Sequence, residues 1–306
     1  MKTKIAAAIA LTLLAGSTFA APTLYGEIDA SLDYLPEDNA TKSDRDVWEL
    51  SSNSSLIGIK GEEKLTERLN AVYAIEWAFN ADGEGADWAK RNRFVGLKDS
   101  KLGTLKVGAH DTPLKQFSSV VDTFNNYVAN KADVSGIFTG ENRVANAVVY
   151  ESPAIALPTG AIKVNALLAT GEASAIKSDN GVVKTAGRGL GDAWSASLAY
   201  ESSAVIAGIA YDNAIPSNFL GRGFVNASEP EVTGGSLFAA ANTIRAIGRV
   251  NVQGGLALKA LYQTSEVEQA EGNAVGTELI DDAQGWLVGA EYNLPTAKAW
   301  TVKAQY

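Results

Sequence analysis

The chain has 306 residues, 46% hydrophobic and 20% charged, with 35 acidic against 26 basic side chains and no cysteine. That length and composition suit one large all-β domain or two ordinary ones. The acidic balance argues against a nucleic-acid partner, and the lack of cysteine excludes a disulfide scaffold.

Residues 1–20 read as a secretory signal peptide. Lys2 and Lys4 precede an apolar run, Ile5–Leu14, and Thr18-Phe19-Ala20 puts small residues three and one before a cut ahead of Ala21. The run is too short for a membrane-spanning helix, and no later segment approaches the ~20 apolar residues one requires. Removing Lys2 and Lys4 from the 26 basic residues leaves 24 against 35 acids, a net charge of −11. An exported protein of this size without disulfides needs its stability from hydrogen-bonded sheet or membrane burial.

The clearest pattern lies in 69–80. Leu69, Ala71, Tyr73, Ile75, Trp77 and Phe79 share one face, and Asn70, Val72, Ala74, Glu76, Ala78 and Asn80 share the other. Side chains alternate sides along a strand, so this segment has one apolar and one mixed face. Trp194, Ala196, Leu198 and Tyr200 oppose Ser195, Ser197, Ala199 and Glu201. Leu256, Leu258, Ala260 and Tyr262 oppose Ala257, Lys259, Leu261 and Gln263, while Trp286, Val288, Ala290 and Tyr292 oppose Leu287, Gly289 and Glu291. Tyr and Trp recur at the ends of the apolar faces, where outer-membrane barrels carry aromatic girdles.

Thirteen strands are predicted, beginning near 22, 47, 67, 88, 103, 143, 160, 193, 204, 241, 255, 284 and 298. Short connections (Lys60–Leu65, Asp99–Leu102, Ser152–Thr159, Ser202–Ser203, Gln253–Gly254, Pro295–Ala297) alternate with mostly longer ones (Leu35–Asp46, Ala81–Asp87, Gly108–Glu141, Gly171–Asp192, Asn213–Ala240, Glu266–Ala283). Short turns on one rim and long loops on the other characterise transmembrane β-barrels, whose closed sheets pair every backbone group in lipid. The expected fold is therefore an all-β transmembrane antiparallel barrel spanning 21–306. Bacterial barrels have an even strand number, so the sequence is expected to stop about three strands short of sixteen.

Six stretches, LYGEID (24–29), SSLIGIKGEEKL (54–65), RNRFVGL (91–97), LGTLKVG (102–108), DTPLK (111–115) and RVANAVVYESP (143–153), resemble in order and spacing the trimeric general porins of Gram-negative bacteria, neisserial and other proteobacterial porins among them. The resemblance implies a sixteen-stranded barrel with its third loop, about 110–142, folded inward. It also implies a homotrimer in outer-membrane lipid and lipopolysaccharide, passing ions and small hydrophilic solutes by passive diffusion. Family porins set a basic wall against that acidic loop. Arg91 and Arg143 keep it here, whereas Leu56 and Ala109 stand where relatives usually carry arginine.

The candidate constriction residues are Asp111, Asp122, Asp133 and Glu141 on the loop side, with Arg91, Lys106 and Arg143 opposite. Asp122, between Val121 and Phe124 as anchors, is the acid expected to face the lumen. Arg91 shares a face with Arg93, Val95 and Leu97, so either a bulge intervenes or these arginines sit solvated at the rim. Four loop acids against Lys115 and Lys131 predict a weak to moderate cation preference. The lone histidine, His110, has no second catalytic partner in view and reads as a polar residue at the mouth of the loop. No metal set, phosphate loop or cofactor site is predicted. Acids in the other long loops read as solvated faces, with weak divalent-cation binding as a secondary reading. A passive pore is the favoured function. An outer-membrane enzyme and a non-conducting adhesin or structural barrel are the alternatives, and bilayer conductance discriminates them.

Overall fold

A computed structural model describes residues 22–35, 47–85, 87–125, 127, 133–170, 189–218, 238–268, 283–297 and 299–306. The predicted leader, Lys131 and most of four predicted long loops lie outside these residues. In chain order the strands are β1 (Thr23–Glu27), β2 (Ala30–Leu35), β3 (Val47–Ser52), β4 (Leu56–Lys64), β5 (Leu69–Ala78), β6 (Ala89–Asp99), β7 (Gly103–Asp111) and β8 (Arg143–Glu151). There follow β9 (Ile155–Leu157), β10 (Gly160–Ala169), β11 (Trp194–Glu201), β12 (Val205–Asn218), β13 (Phe238–Val252), β14 (Leu256–Val267), β15 (Ala283–Asn293) and β16 (Thr301–Gln305).

Thirteen of these strands form one antiparallel succession, β1-β4-β5-β6-β7-β8-β10-β11-β12-β13-β14-β15-β16, the number expected from the sequence. β9 hairpins onto β10 inside the predicted turn 152–159. Among the described residues, β1 and β16 are not paired with each other. No described helix is long and apolar enough to cross a membrane, which bears only on helices.

Two strands differ from expectation. The run from 47 is not one strand; it breaks at Asn53-Ser54-Ser55, where Ser54 has φ 61°. The partner run breaks at the same height after Glu27. Asp29 accepts at its carbonyl from the Asn53 amide at 2.9 Å and from the Ser55 hydroxyl at 3.0 Å. These bonds detach β2 and β3 as a separate two-stranded ribbon. β12 and β13 extend into the predicted loop 213–240, with a register shift between Asp212 and Ile215 that follows the positive φ of Ala214.

The predicted faces hold. Ile75 is 40% exposed while Ala74 beside it is 8% exposed; Leu258 is 46% exposed and Leu261 2%. Open apolar side chains along one face match the outward apolar band of a barrel, which meets lipid or a neighbouring protomer. Trp77, Trp194 and Trp286 stand near the long-loop ends of their strands, and Tyr150, Tyr200 and Tyr292 near the short-turn ends. Trp194 packs on Tyr211 with ring centroids 5.3 Å apart, and Trp286 on Tyr306 at 5.4 Å.

Candidate functional site

Loop 3, the connection 112–142 between β7 and β8, is folded onto the inner face of β10 to β16. Its described residues include the single-turn helices α1 (Pro113–Gln116), α2 (Ser118–Val121) and α3 (Val134–Ile137). Thr112 caps α1 by accepting from the Lys115 amide, with Pro113 in the first turn where its missing N–H costs nothing. Asp133 caps α3 by accepting from the Gly136 amide at 2.8 Å. The loop's apolar residues Leu114, Phe117, Val121, Val134 and Phe138 are buried together with Ala199, Ala210, Ile247, Leu261 and Leu287 of the wall. Room for this comes from absent side chains. A Cβ at Gly285 would lie 2.8 Å from the Phe138 ring, and one at Gly289 would meet Thr123.

Polar contacts fix the same seat. Arg245 on β13 is fully buried at 0% exposure and binds Glu141 at 2.6 Å. Its guanidinium also donates to the Leu114 carbonyl at 3.3 Å, the Thr139 carbonyl at 3.0 Å and Gln263 at 2.8 Å. Lys259 pairs with Glu291 at 2.6 Å and reaches the Asp122 carbonyl at 3.4 Å. Gln305 on β16 accepts from the Thr123 amide at 2.8 Å.

On its other side the loop borders a cavity of about 500 Å³ lined by Arg91, Asp111, Lys115, Asp122, Glu141 and Arg143, among others. Five of the seven predicted constriction residues therefore meet at one place. Arg91 reaches it because β6 carries a register shift: Ile75 pairs with Arg93 but Trp77 pairs with Lys90, so Glu76 faces two residues. The bulge turns Arg91 toward Glu76, 3.9 Å away, whereas Arg93 lies over the Trp77 ring on the outward face at 5.2 Å. Of the two sequence readings of Arg91, the bulge is the one realised.

Asp111 is enclosed by cations. Arg143 pairs with it at 3.0 Å and Lys115 at 3.3 Å, and Asn92 donates to it at 3.1 Å. The Asp122 carboxylate, in a residue 4% exposed, turns back on the loop and accepts from the Val134 amide at 2.8 Å and the Phe124 amide at 3.2 Å. Burial, with the nearby charges of Asp133 and Glu141, pushes its pKa up to about 6.

Two predicted residues sit elsewhere. Asp133 is 0% exposed and serves as the α3 cap, its carboxylate accepting from the Gly136 amide. Lys106 points into a separate cavity of about 490 Å³ toward the short-turn rim. There it pairs with Glu151 at 2.5 Å and lies 3.3 Å from His110, whose other ring nitrogen is 2.9 Å from the Asp111 carbonyl. Ala109 pairs with Arg93 on the side of the sheet that carries Val95 and Val107, so a missing arginine there removes no cation from the inner face. Sequence reasoning missed Arg245, Lys259 and Gln263. Their signal is alternation: all three fall on the inward register of β13 and β14, where uncovered side chains would be lumen charges.

The Gram-negative porin family matches residues 6–306. The major outer membrane protein P.IB of Neisseria gonorrhoeae is 31% identical over 163 residues, covering 51% of this chain and 46% of that protein. P.IA of Neisseria meningitidis serogroup C is 32% identical over 164 residues, covering 48% and 41%. The chain spans about half the length of the curated relatives it matches. Among solved structures, an anion-selective porin from Comamonas acidovorans superposes with a TM-score of 0.65 at 18% identity, covering 94% of this chain and 77% of that one. An OmpF of Salmonella typhi in complex with daunomycin gives 0.54 at 16% identity, covering 90% and 75%. These likenesses show the porin fold, and the relatives place the chain in the outer membrane. The chain belongs to the Gram-negative porin family.

Proposed function

We propose that the protein is a water-filled channel, assembled as a homotrimer among outer-membrane lipid and lipopolysaccharide, through which ions and small hydrophilic solutes diffuse passively. The observation that carries this reading is the loop seated on one wall, which leaves a charged cavity between itself and the other. The seven candidate residues divide on this reading. Arg91, Asp111, Asp122, Glu141 and Arg143 border the constriction, Lys106 tunes the vestibule below it, and Asp133 shapes the loop.

Ion preference is weak at neutral pH. Two of the four acids counted in the sequence are answered by cations in space, Asp111 by Arg143 and Lys115 and Glu141 by Arg245. That balance favours a smaller cation preference than four loop acids imply. As pH falls through about 6, Asp122 takes up a proton and loses its charge, so selectivity moves toward anions. The Comamonas porin's selectivity is that protein's own; at 18% identity the likeness concerns the fold.

Planar-bilayer recording of the full-length protein tests this. Stepwise conductance with small reversal potentials under a salt gradient, shifting toward anions between pH 7.5 and 5, is expected. No conductance would return the enzyme and adhesin readings, and a strong, pH-independent cation preference would overturn the charge balance.

A further inference from the structure

We infer that Arg245 is a positioning and specificity-determining residue of this channel, locking both limbs of loop 3 to the wall and masking the charge of Glu141. The inference rests on the channel reading above.

All three guanidinium nitrogens are used. One donates along the wall to Gln263 at 2.8 Å. A second reaches the loop's incoming limb at the Leu114 carbonyl, 3.3 Å away, and the Ser118 hydroxyl. The same nitrogen meets the outgoing limb at Glu141, 2.6 Å away, and the third meets the Thr139 carbonyl at 3.0 Å. Gln263 then donates to that carbonyl as well, at 3.0 Å. The two limbs, separated in sequence by most of the loop, are thus fastened to one side chain.

Local backbone makes the arrangement achievable. Gly140 has φ +89°, a left-handed conformation that glycine adopts without strain, and it lies between Thr139 and Glu141, which both meet the guanidinium. A Cβ at this position would lie 2.6 Å from the Leu114 side chain. Lysine cannot reproduce the arrangement, because an ammonium is a compact point charge without a planar fork of donors. The dependence is reciprocal: a guanidinium taken wholly out of water needs every one of these partners. Arg245 and Glu141 therefore hold each other neutral beside the lumen, and loop 3 is positioned as a consequence.

The test uses the full-length protein in planar bilayers as four forms: unsubstituted, Arg245→Lys, Arg245→Met and Arg245→Met/Glu141→Gln. Heat-modifiable migration in gels reports folding. In Arg245→Met the exposed charge of Glu141 should raise the cation-to-anion permeability ratio roughly fivefold. Adding Glu141→Gln should restore the original ratio while the released loop keeps the current noisy. Arg245→Lys should keep the original ratio with raised noise. A purely structural arginine would give noise in every variant without the selectivity shift and its reversal. If Arg245→Met does not fold, the lysine and double variants carry the test, since unaltered noise and conductance in both would overturn the inference. An unaltered ratio in a folded Arg245→Met would do the same. Absence of conductance from the unsubstituted protein would instead remove the channel reading, and this inference with it.

Discussion

The two inner walls of this sheet differ. Along β4 to β8 the inward side chains are charged and partly open: Arg91 and Lys106 border cavities, and Glu76 lies 3.9 Å from Arg91. Along β11 to β15 they include Ala199, Ile247, Leu261 and Leu287 beside Arg245, Lys259 and Gln263, all buried beneath loop 3. One wall meets water, and the other meets protein. On the proposed channel reading, a lumen is not lined by everything that points inward, and its charge is set by the wall that the loop leaves uncovered.

The strongest way to break this contrast is to remove one of the loop's two buried phenylalanine anchors. Phe138→Ala should cost about 3–5 kcal/mol, the range for truncating a buried aromatic. Denaturant unfolding of the refolded protein measures it, and limited proteolysis should show cleavage within 112–142. A change of equal size in denaturant midpoint from Lys106→Ala would erase the distinction between walls.

Next in size is the membrane face. Ile75→Arg should cost about 2–4 kcal/mol on folding into bilayers if it sits near the midplane, and Ala74→Arg much less because that position faces inward. Equal costs would contradict the face assignment.

The smallest effect is on pH. Asp122 has its folded pKa raised from the ordinary 3.8 to about 6 by burial. The folded protein therefore binds this proton more tightly than the unfolded chain, and stability is lost as pH rises from 3.8 through about 6. Asp122→Asn should flatten the pH dependence of both stability and reversal potential in that window. An unchanged profile would assign the titration to another group.

The outward faces were legible because lipid demands strict alternation. β5, β11, β14 and β15 each announce themselves by a run such as Leu258, Ala260 and Tyr262 with exposed apolar members. The covered wall was not legible in the same way. Leu261 and Leu287 look like lapses in polarity until loop 3 is laid over them, and Arg245 and Lys259 look like pore cations although both are buried. The sequence-based charge count failed there, since a pairing such as Glu141 with Arg245 joins residues on opposite sides of the chain's middle. Arg91 depended on one bulge opposite Glu76, which shifts a face without any change in composition. The break at Asn53 to Ser55 was hidden because three small polar residues fit a strand or a turn equally well.

The seating of loop 3 on the β11–β15 wall in the conducting state is the central claim, and the cysteine-free chain allows a direct test. A Cβ at Gly289 would lie 3.3 Å from the Thr123 Cβ, close to the separation a disulfide bridges. The double variant Thr123→Cys/Gly289→Cys, made in the full-length protein and reconstituted, should cross-link under mild oxidation while single-channel conductance stays at its reduced value. Failure to cross-link, or a cross-link that closes the channel until it is reduced, would contradict the account.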